Sequence, residues 1–522
     1  MATTQPDQRG ELLSERVSGG MLPRVLNTFD MVAIFVSIVL FITNAAVIQS
    51  AGPAAFGWWI IGFLAFLIPG AIVTGQLGRM FPGEGSIYLW TQKAFGPFWG
   101  FFAGFCAWWP GVLVMVATGT VVLSYLGFVL PSTVGSASVQ VQGIIIIAFI
   151  LLSAVLANQR FRLTQNIVNA VFVLYGAAIL VVFVAGLVHL ATGGAAATDP
   201  TDWSAWAPSS DTGLNLANWS FFGLVILALL GVEVPLNMGV EIKHERSITR
   251  YLLWGSLAVM LAYLLATWAV MVTVPAANGQ SAQVTALATA VGAELAGWLG
   301  NVVAVILAGF FLFITVVYNY SFARLVFVSG LDQKLPSAMA RVNKHKVPSN
   351  AVWVQTVIAC LFTLVAFILL PSFGIGGGRP IDIQTKVYDV LQAAVTVIWC
   401  ISMVVLFIDV VIIIRRFLPR YQETRLAHPV VFYVCAVLGV LSTLVGVIAT
   451  LSGSWTPLIS NDSGSVSIAG AHIAYGSWFY LVAGIAVLSL LVSIAIYWLG
   501  RATHARAAGP AAPTGTLTPG HP

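Results

Sequence analysis

Apolar residues run through this chain in long blocks separated by short polar breaks, without the strict alternation of a membrane β-barrel strand. The blocks predict twelve helices, near 29–50, 55–78, 98–129, 141–157, 164–190, 218–240, 249–274, 299–329, 349–370, 389–414, 429–451 and 476–499. Several reach the roughly 20 residues a helix needs to cross about 30 Å of hydrocarbon. A helix pairs each backbone donor and acceptor within itself, which a solvent without hydrogen bonds demands.

The polar segments set the organisation. Residues 1–24 hold no short apolar core or cleavage site and read as a cytoplasmic tail, not a signal peptide. Residues 500–522, rich in Ala, Pro, Gly and Thr from Ala507 onward, read as a second cytoplasmic tail and are expected to be disordered. The longest outside connections, about 191–217, 275–298 and 452–475, are polar, and none can bury a core of its own. Whatever the protein does, it does within the bundle. Residues 25–190 and 218–414 form two five-helix sets, with helices 11 and 12 over 429–499. An odd number of helices per set inverts the second. Each set has a long Gly-bearing loop between its second and third spans, near 79–97 and 275–298.

Composition agrees. Residues AVILMFWYC make up 59% and charged residues 8%, against about 25% charged in a soluble domain. With the N-terminus inside, 21 of the 23 Lys and Arg fall on cytoplasmic segments, only Arg379 and Lys386 lying elsewhere. That bias sets orientation and places both termini in the cytoplasm of a cell with this chain in its plasma (inner) membrane. The net charge of +5 is then topological and no footprint of nucleic acid. Cys106, Cys360, Cys400 and Cys435 lie inside predicted spans without CxxC spacing, and no HExxH is present. Neither a metal site, a cofactor motif nor a nucleophile–base pair of an enzyme is legible.

Intramembrane carboxylates break the pattern. Asp30 and Asp409 fall near the cytoplasmic face, but Glu233 sits deep in span 6, within Gly231-Val232-Glu233-Val234-Pro235. A charge at that depth costs at least about 2.5–3.5 kcal/mol. Pro235 removes a backbone donor and the glycines weaken the helix. The combination predicts a broken helix around an acid suited to carry a proton, although Gly and Pro are common in membrane helices and Glu233 pairing with a polar neighbour is the plainer alternative. In span 1, Ser37, Thr43 and Asn44 either contact a solute or ion, or bond back onto the helix. Trp108 reads as packing; Tyr320 is balanced between packing and a gate. The GIGGG run at 374–378 lacks the strand–helix context of a phosphate loop.

Motifs along residues 25–350 resemble those of the amino acid–polyamine–organocation permeases. Asp30-Met31-Val32-Ala33-Ile34 is similar to the family's D-x-V-A-I, and Phe81-Pro82-Gly83-Glu84-Gly85-Ser86-Ile87-Tyr88 with Ala94-Phe95-Gly96 to its F-P-x-x-G-x-x-Y…A-F-G. Gly231-Val232-Glu233 with Glu241-Ile242-Lys243 is similar to G-[FV]-E-x7-E-x-K, and Ala323-Arg324, Asp332, Leu335-Pro336, Asn343-Lys344 and Pro348 fall at family spacing. The resemblance implies a leucine-transporter-like, all-α fold with two inverted five-helix repeats and two further helices. It implies that the interrupted backbones of spans 1 and 6, around Ile42, Leu227, Leu230 and Gly231, hold a solute's carboxylate and amino groups. Matching span 3 on Trp109, Gly111 and Leu123-Ser124-Tyr125 puts Val112 and Met115 on the solute lining, with Trp399 in span 10 by position.

Three departures stand out. The family's G-S-G-I-F is missing and the stretch from Asp30 to Gly52 is about one turn short, as in glutamate/γ-aminobutyrate antiporters. His244-Glu245 replaces N-P, and no lysine lies between Leu163 and His189. Coupling therefore falls to Glu233, a sodium ion or solute exchange. The expected function is secondary transport of an amino acid or related amine by alternating access, proton-coupled or by exchange. The alternative is a sensor that binds without turnover. No channel filter is visible.

Overall fold

The computed structural model describes residues 12–201, 219–275, 280–373, 380–453, 455, 459–460 and 473–507. Among them, eleven helices are long and apolar enough to cross a membrane. The remaining expected span, Phe221–Asn237, is a shorter apolar helix, and it is short because it breaks. The GIGGG run, Arg379 and the 202–218 and 461–472 segments of the connections lie outside the described residues.

A short helix, α1 (Leu13–Met21), precedes the first span, which is divided into α2 (Thr28–Val39) and α3 (Thr43–Val47). Span 2 comprises α4 (Ala54–Gly62) and α5 (Ile68–Met80), joined through a wide π-turn over Phe63–Leu67. Then come α6 (Ser86–Phe95), α7 (Pro97–Val129), α8 (Val139–Ala157) and α9 (Phe161–Ala191). The second set opens with α10 (Phe221–Leu229) and continues through α11 (Arg246–Thr273), α12 (Gln280–Glu294), α13 (Gly297–Leu331), α14 (Ser349–Thr363) with α15 (Leu370–Ser372), and α16 (Pro380–Arg416). The small helix α17 (Leu418–Thr424) leads to α18 (Pro429–Ser452) and α19 (Tyr475–Ala507).

The structure corrects three expectations. The 79–97 and 275–298 segments are not open loops: α6 and α12 lie within them, with Tyr88, Trp90, Val284, Leu287 and Val291 fully buried. Both are too short to span, but their Ala and apolar content makes a helix packed on protein the better state. The tail expected to be disordered from residue 500 is helical to Ala507, where an Ala-rich sequence continues α19.

Two long helices, α7 and α13, lie side by side through the centre. Close approach is set by Gly111, whose missing side chain admits the Phe322 ring, and by the Thr118–Thr315 hydroxyl pair at 2.7 Å. A buried polar knot fixes the neighbouring helices. Asn319 donates to Ser153 Oγ at 2.8 Å, Gln355 Nε2 donates to Asn319 Oδ1 at 2.9 Å, and Trp108 Nε1 donates to Gln355 Oε1 at 3.0 Å. Trp108 is thus a packing residue with its one donor satisfied.

One end of the bundle, here the basic face, carries α1, α6, α17 and the 332–347 linker. There α1 is held by Ser14, whose amide and hydroxyl both donate to Asp332 at 2.9 Å, and by Glu15 paired with Lys93 at 2.9 Å. Arg16 on the same helix is exposed. Replacing Asp332 with Asn and Ser14 with Ala together is expected to release α1. Faster tryptic cleavage after Arg16 in the purified protein would register it; unchanged cleavage would show that α1 is held elsewhere.

Candidate functional site

Two helix breaks meet in the interior. The first helix is fixed at its start, where Asn27 and Asp30 cap one another and Asp30 also accepts from Arg162 at 2.6 Å and Asn169 at 2.7 Å. It ends at Val39, because Leu40 turns to φ −88°, ψ 83°. Span 6 stops at Leu229; Leu230 is extended and Gly231 has φ 103°, a left-handed conformation that favours glycine. A Cβ at Gly231 would also crowd Ile38 and Trp399.

The carbonyls freed by these breaks are not left bare. Tyr318 donates to Ile38 O at 3.2 Å and Tyr175 to Leu40 O at 3.2 Å. Tyr263 reaches both Val39 O at 3.2 Å and Ala228 O at 3.1 Å, and accepts from the Phe41 amide at 3.0 Å. Three phenols therefore replace the helical bonds that the interruption removes. The amides of Thr43, Gly231 and Val232 have no backbone acceptor among the described residues.

Between the breaks lies a cavity of about 20 Å³, lined by Ile38, Val39, Phe41, Asn44, Val114, Leu227, Leu230, Tyr318, Gln392 and Trp399. That space holds about one water, so a larger solute must part these side chains. Three buried polar atoms here have no partner: Asn44 Nδ2, Gln392 Oε1 and Glu233 Oε2. The other oxygen of Glu233 accepts from Trp399 Nε1 at 2.9 Å. Among the described residues no cation lies within ion-pair distance of Glu233. Buried groups are nearly always satisfied, and exceptions concentrate where a ligand or proton acts.

Of the residues singled out in the sequence, Asn44, Leu227, Leu230 and Trp399 border this cavity, Glu233 and Gly231 adjoin it through Trp399, and Ile42 lies in the break itself. Thr43 is buried, its hydroxyl 3.5 Å from that of Tyr388. Ser37 is buried one residue before Ile38. Val112 and Met115 are buried in α7 but do not border the cavity; Val114 does. Tyr320 also stands away from it, donating to Gln165 at 2.8 Å beneath the edge of Phe161. Gln392 and Tyr318 went unmarked. Gln392 precedes Trp399 by seven residues, two turns on one helical face, and that periodicity was the available signal.

A second constellation lies below, toward the basic face. After the break, span 6 does not resume as an α-helix. It proceeds as 3-10 turns, Val234–Asn237 and Gly239–Glu241, held between two other segments. The amides of Val25 and Leu26 donate to Glu241 O at 2.9 Å, and Gly85 N donates to Asn237 O at 2.9 Å. At Gly239 the chain passes so close to Gly83 O that a Cβ would collide. This arrangement brings Glu241 and Glu84 to one cation, Arg324 of α13: Arg324 Nε lies 3.0 Å from Glu84 and its NH2 group bonds Glu241. All three are fully buried. Burial works to raise both carboxyls, and the shared guanidinium works to lower them. Reading Arg324 as one more topological charge missed this triad.

Replacing Tyr263 with Phe strips the phenol from Ala228 O and leaves the Phe41 amide and Val39 O only their 3.2 Å bond to each other, and is expected to lower stability by about 1–3 kcal/mol, read as thermal unfolding in detergent. Arg324→Gln leaves two buried acids and is expected to cost about 3–5 kcal/mol. Adding Glu84→Gln should recover part of that loss, and no recovery would show that the pairing with Glu84 is immaterial.

Comparison with known proteins places this geometry. A family model described as amino acid permease matches residues 26–488. A transporter of Legionella pneumophila is 27% identical over 67% of this chain and 75% of its own length. The aromatic amino acid transport protein AroP of Escherichia coli K12 is 29% identical over 65% of this chain and 72% of its own. The probable agmatine/putrescine antiporter AguD of Lactococcus lactis is 26% identical over 47% and 51%. Among solved structures, a variant of the manganese transporter of Eremococcus coleocola superposes with a TM-score of 0.56 at 12% identity, covering 97% of this chain and 98% of that one. That likeness speaks for the fold: two five-span sets whose first members are interrupted, followed by two more helices, as in leucine-transporter-like carriers. With most of its length matched, the chain belongs to the amino acid permease family.

Proposed function

We propose that this permease carries a neutral amino acid or related amine by alternating access, exchanging one solute for another or coupling its movement to a proton. The observation that supports this most is the meeting of two broken helices at a buried cavity where Asn44, Gln392 and Glu233 each keep an unmet polar atom. Free amides at Thr43, Gly231 and Val232 suit a carboxylate, and Glu233 Oε2 and Gln392 Oε1 suit an ammonium. Ile38, Val114, Leu227 and Leu230 suit an apolar side chain, with Phe41, Tyr318 and Trp399 supplying aromatic faces. Thr43 and Ser37 stand just outside this first layer, and Val112, Met115 and Tyr320 act through packing.

In this reading Glu233 is the coupling acid. Trp399 orients it, and among the described residues no cation compensates it, so it exchanges a proton when the cavity opens to water. The basic face is cytoplasmic, with both termini there, in the plasma or inner membrane. An amine exchanger is the second reading, favoured by the same free carboxylate oxygen, and sodium is the other ion to test.

Proteoliposomes loaded with unlabelled solute should take up labelled solute by counterflow, with aromatic and aliphatic neutral amino acids ahead of agmatine and putrescine. Replacing sodium should leave the rate unchanged. Glu233→Gln is expected to slow counterflow roughly tenfold or more, the ratio that about 1.4 kcal/mol of lost interaction produces, and to flatten its pH dependence. Wild-type rates in that variant at every pH would end the coupling role, and tight binding without counterflow would instead make the chain a sensor.

A further inference from the structure

A second cavity, of about 260 Å³, lies apart from the one between the broken helices. It lies near the basic face, floored by Phe105 and Trp108 of α7 and Leu325 of α13, and flanked by Val354 and Ile358 of α14 and Ile496 of α19. Leu335 and Met339 of the linker after α13 close its end. Helices α14 and α19 each pack on α7 but make at most marginal contact with one another, so the wedge between them faces outward. Trp353 and Val357, beside this wedge on α14, are exposed apolar residues at a membrane-facing position.

The lining is dry. Its one hydroxyl, Ser329, donates to Leu325 O at 2.7 Å, and the Trp108 indole is satisfied by Gln355. None of the lining side chains has an unmet polar atom. Water in such a space lacks the two to four partners it needs, and hydrocarbon is the surrounding solvent. The rim is the opposite. The linker that caps the cavity carries Lys334, Arg341, Lys344 and Lys346, the last three exposed, and among the described residues none of the four has an ion-pair partner. Its one acid, Asp332, is taken by Ser14. Lys334 also lies over the end of α19, where its carbonyl crowds Gly500.

We propose that this cavity is a binding site for an anionic phospholipid of the leaflet on the basic face. One acyl chain enters between α14 and α19 to lie on Phe105 and Trp108, and the phosphate rests against Lys334 and Arg341. Basic groups beside gaps between membrane helices recognise anionic headgroups in this way. The site is separate from the solute cavity, which is polar, smaller and formed by α2, α3, α10 and α16 with α7 and α13.

The full chain in nanodiscs containing phosphatidylglycerol or phosphatidylcholine, each with a mid-chain diazirine, tests this by photolysis and peptide mapping. Adducts are expected on the peptides holding Phe105–Trp108, Val354–Ile358 and Ile496, more with phosphatidylglycerol. Lys334→Gln with Arg341→Gln should reduce that preference by roughly fivefold or more, as expected for basic groups near a membrane surface. Ile358→Trp should remove these adducts and spare those on other exposed faces. Equal labelling by the two lipids, or adducts spread evenly over all membrane-facing helices, would overturn the proposal. Displacement of the phosphatidylglycerol label by equimolar palmitate or a sterol would overturn it too, in favour of that occupant. The comparison of headgroups in the unsubstituted protein stands even where Ile358→Trp does not fold.

Discussion

Interrupted backbone inside a hydrocarbon solvent must find partners within the protein, and the rest of this structure follows from how it does so. Three tyrosine hydroxyls, from Tyr175, Tyr263 and Tyr318, take over the carbonyls of Ile38, Val39, Leu40 and Ala228. They come from three different helices, α9, α11 and α13. The breaks are thus held open by the bundle around them, not only by the residues at which they occur. What the tyrosines leave unmet, a few amides and the free ends of Asn44, Gln392 and Glu233, is what a solute can use.

That distinction explains which parts were legible in the sequence. The break in span 6 was readable because Gly231, Glu233 and Pro235 oppose a helix locally. The break in span 1 was legible only through the family resemblance, since Leu40-Phe41-Ile42 carries neither glycine nor proline. Its interruption is imposed by Tyr263 and its companions, which sit more than 100 residues away. Helices α6 and α12 were read as loops because hydropathy detects what can cross a membrane, not what packs on its rim. Arg324 was counted as a topological charge because nothing in its own segment announces two acids brought from Glu84 and Glu241.

In the proposed reading of the two cavities, lining chemistry separates functions within one bundle. Both touch α7 and α13, yet one presents unmet donors and acceptors around a small volume, and the other presents satisfied apolar surface around a larger one. Size alone would favour the apolar one, the reverse of the proposed assignment. The rigid partner of both is the Asn319–Gln355–Trp108 knot, which fixes α7, α8, α13 and α14 as a unit against which other helices are placed.

The interior is sealed at each end by different residues. On the basic face the seal consists of Arg324 with its two acids and the strand-like clamp around Glu241. At the opposite end Gln49 bonds the carbonyls of Val270 and Val274, Trp59 donates to Thr267 at 3.0 Å, and α12 lies over α3. One door is ionic and the other is built from neutral hydrogen bonds and apolar packing. Ionic strength and temperature therefore act on the two unequally, and selection can loosen either without touching the residues of the other.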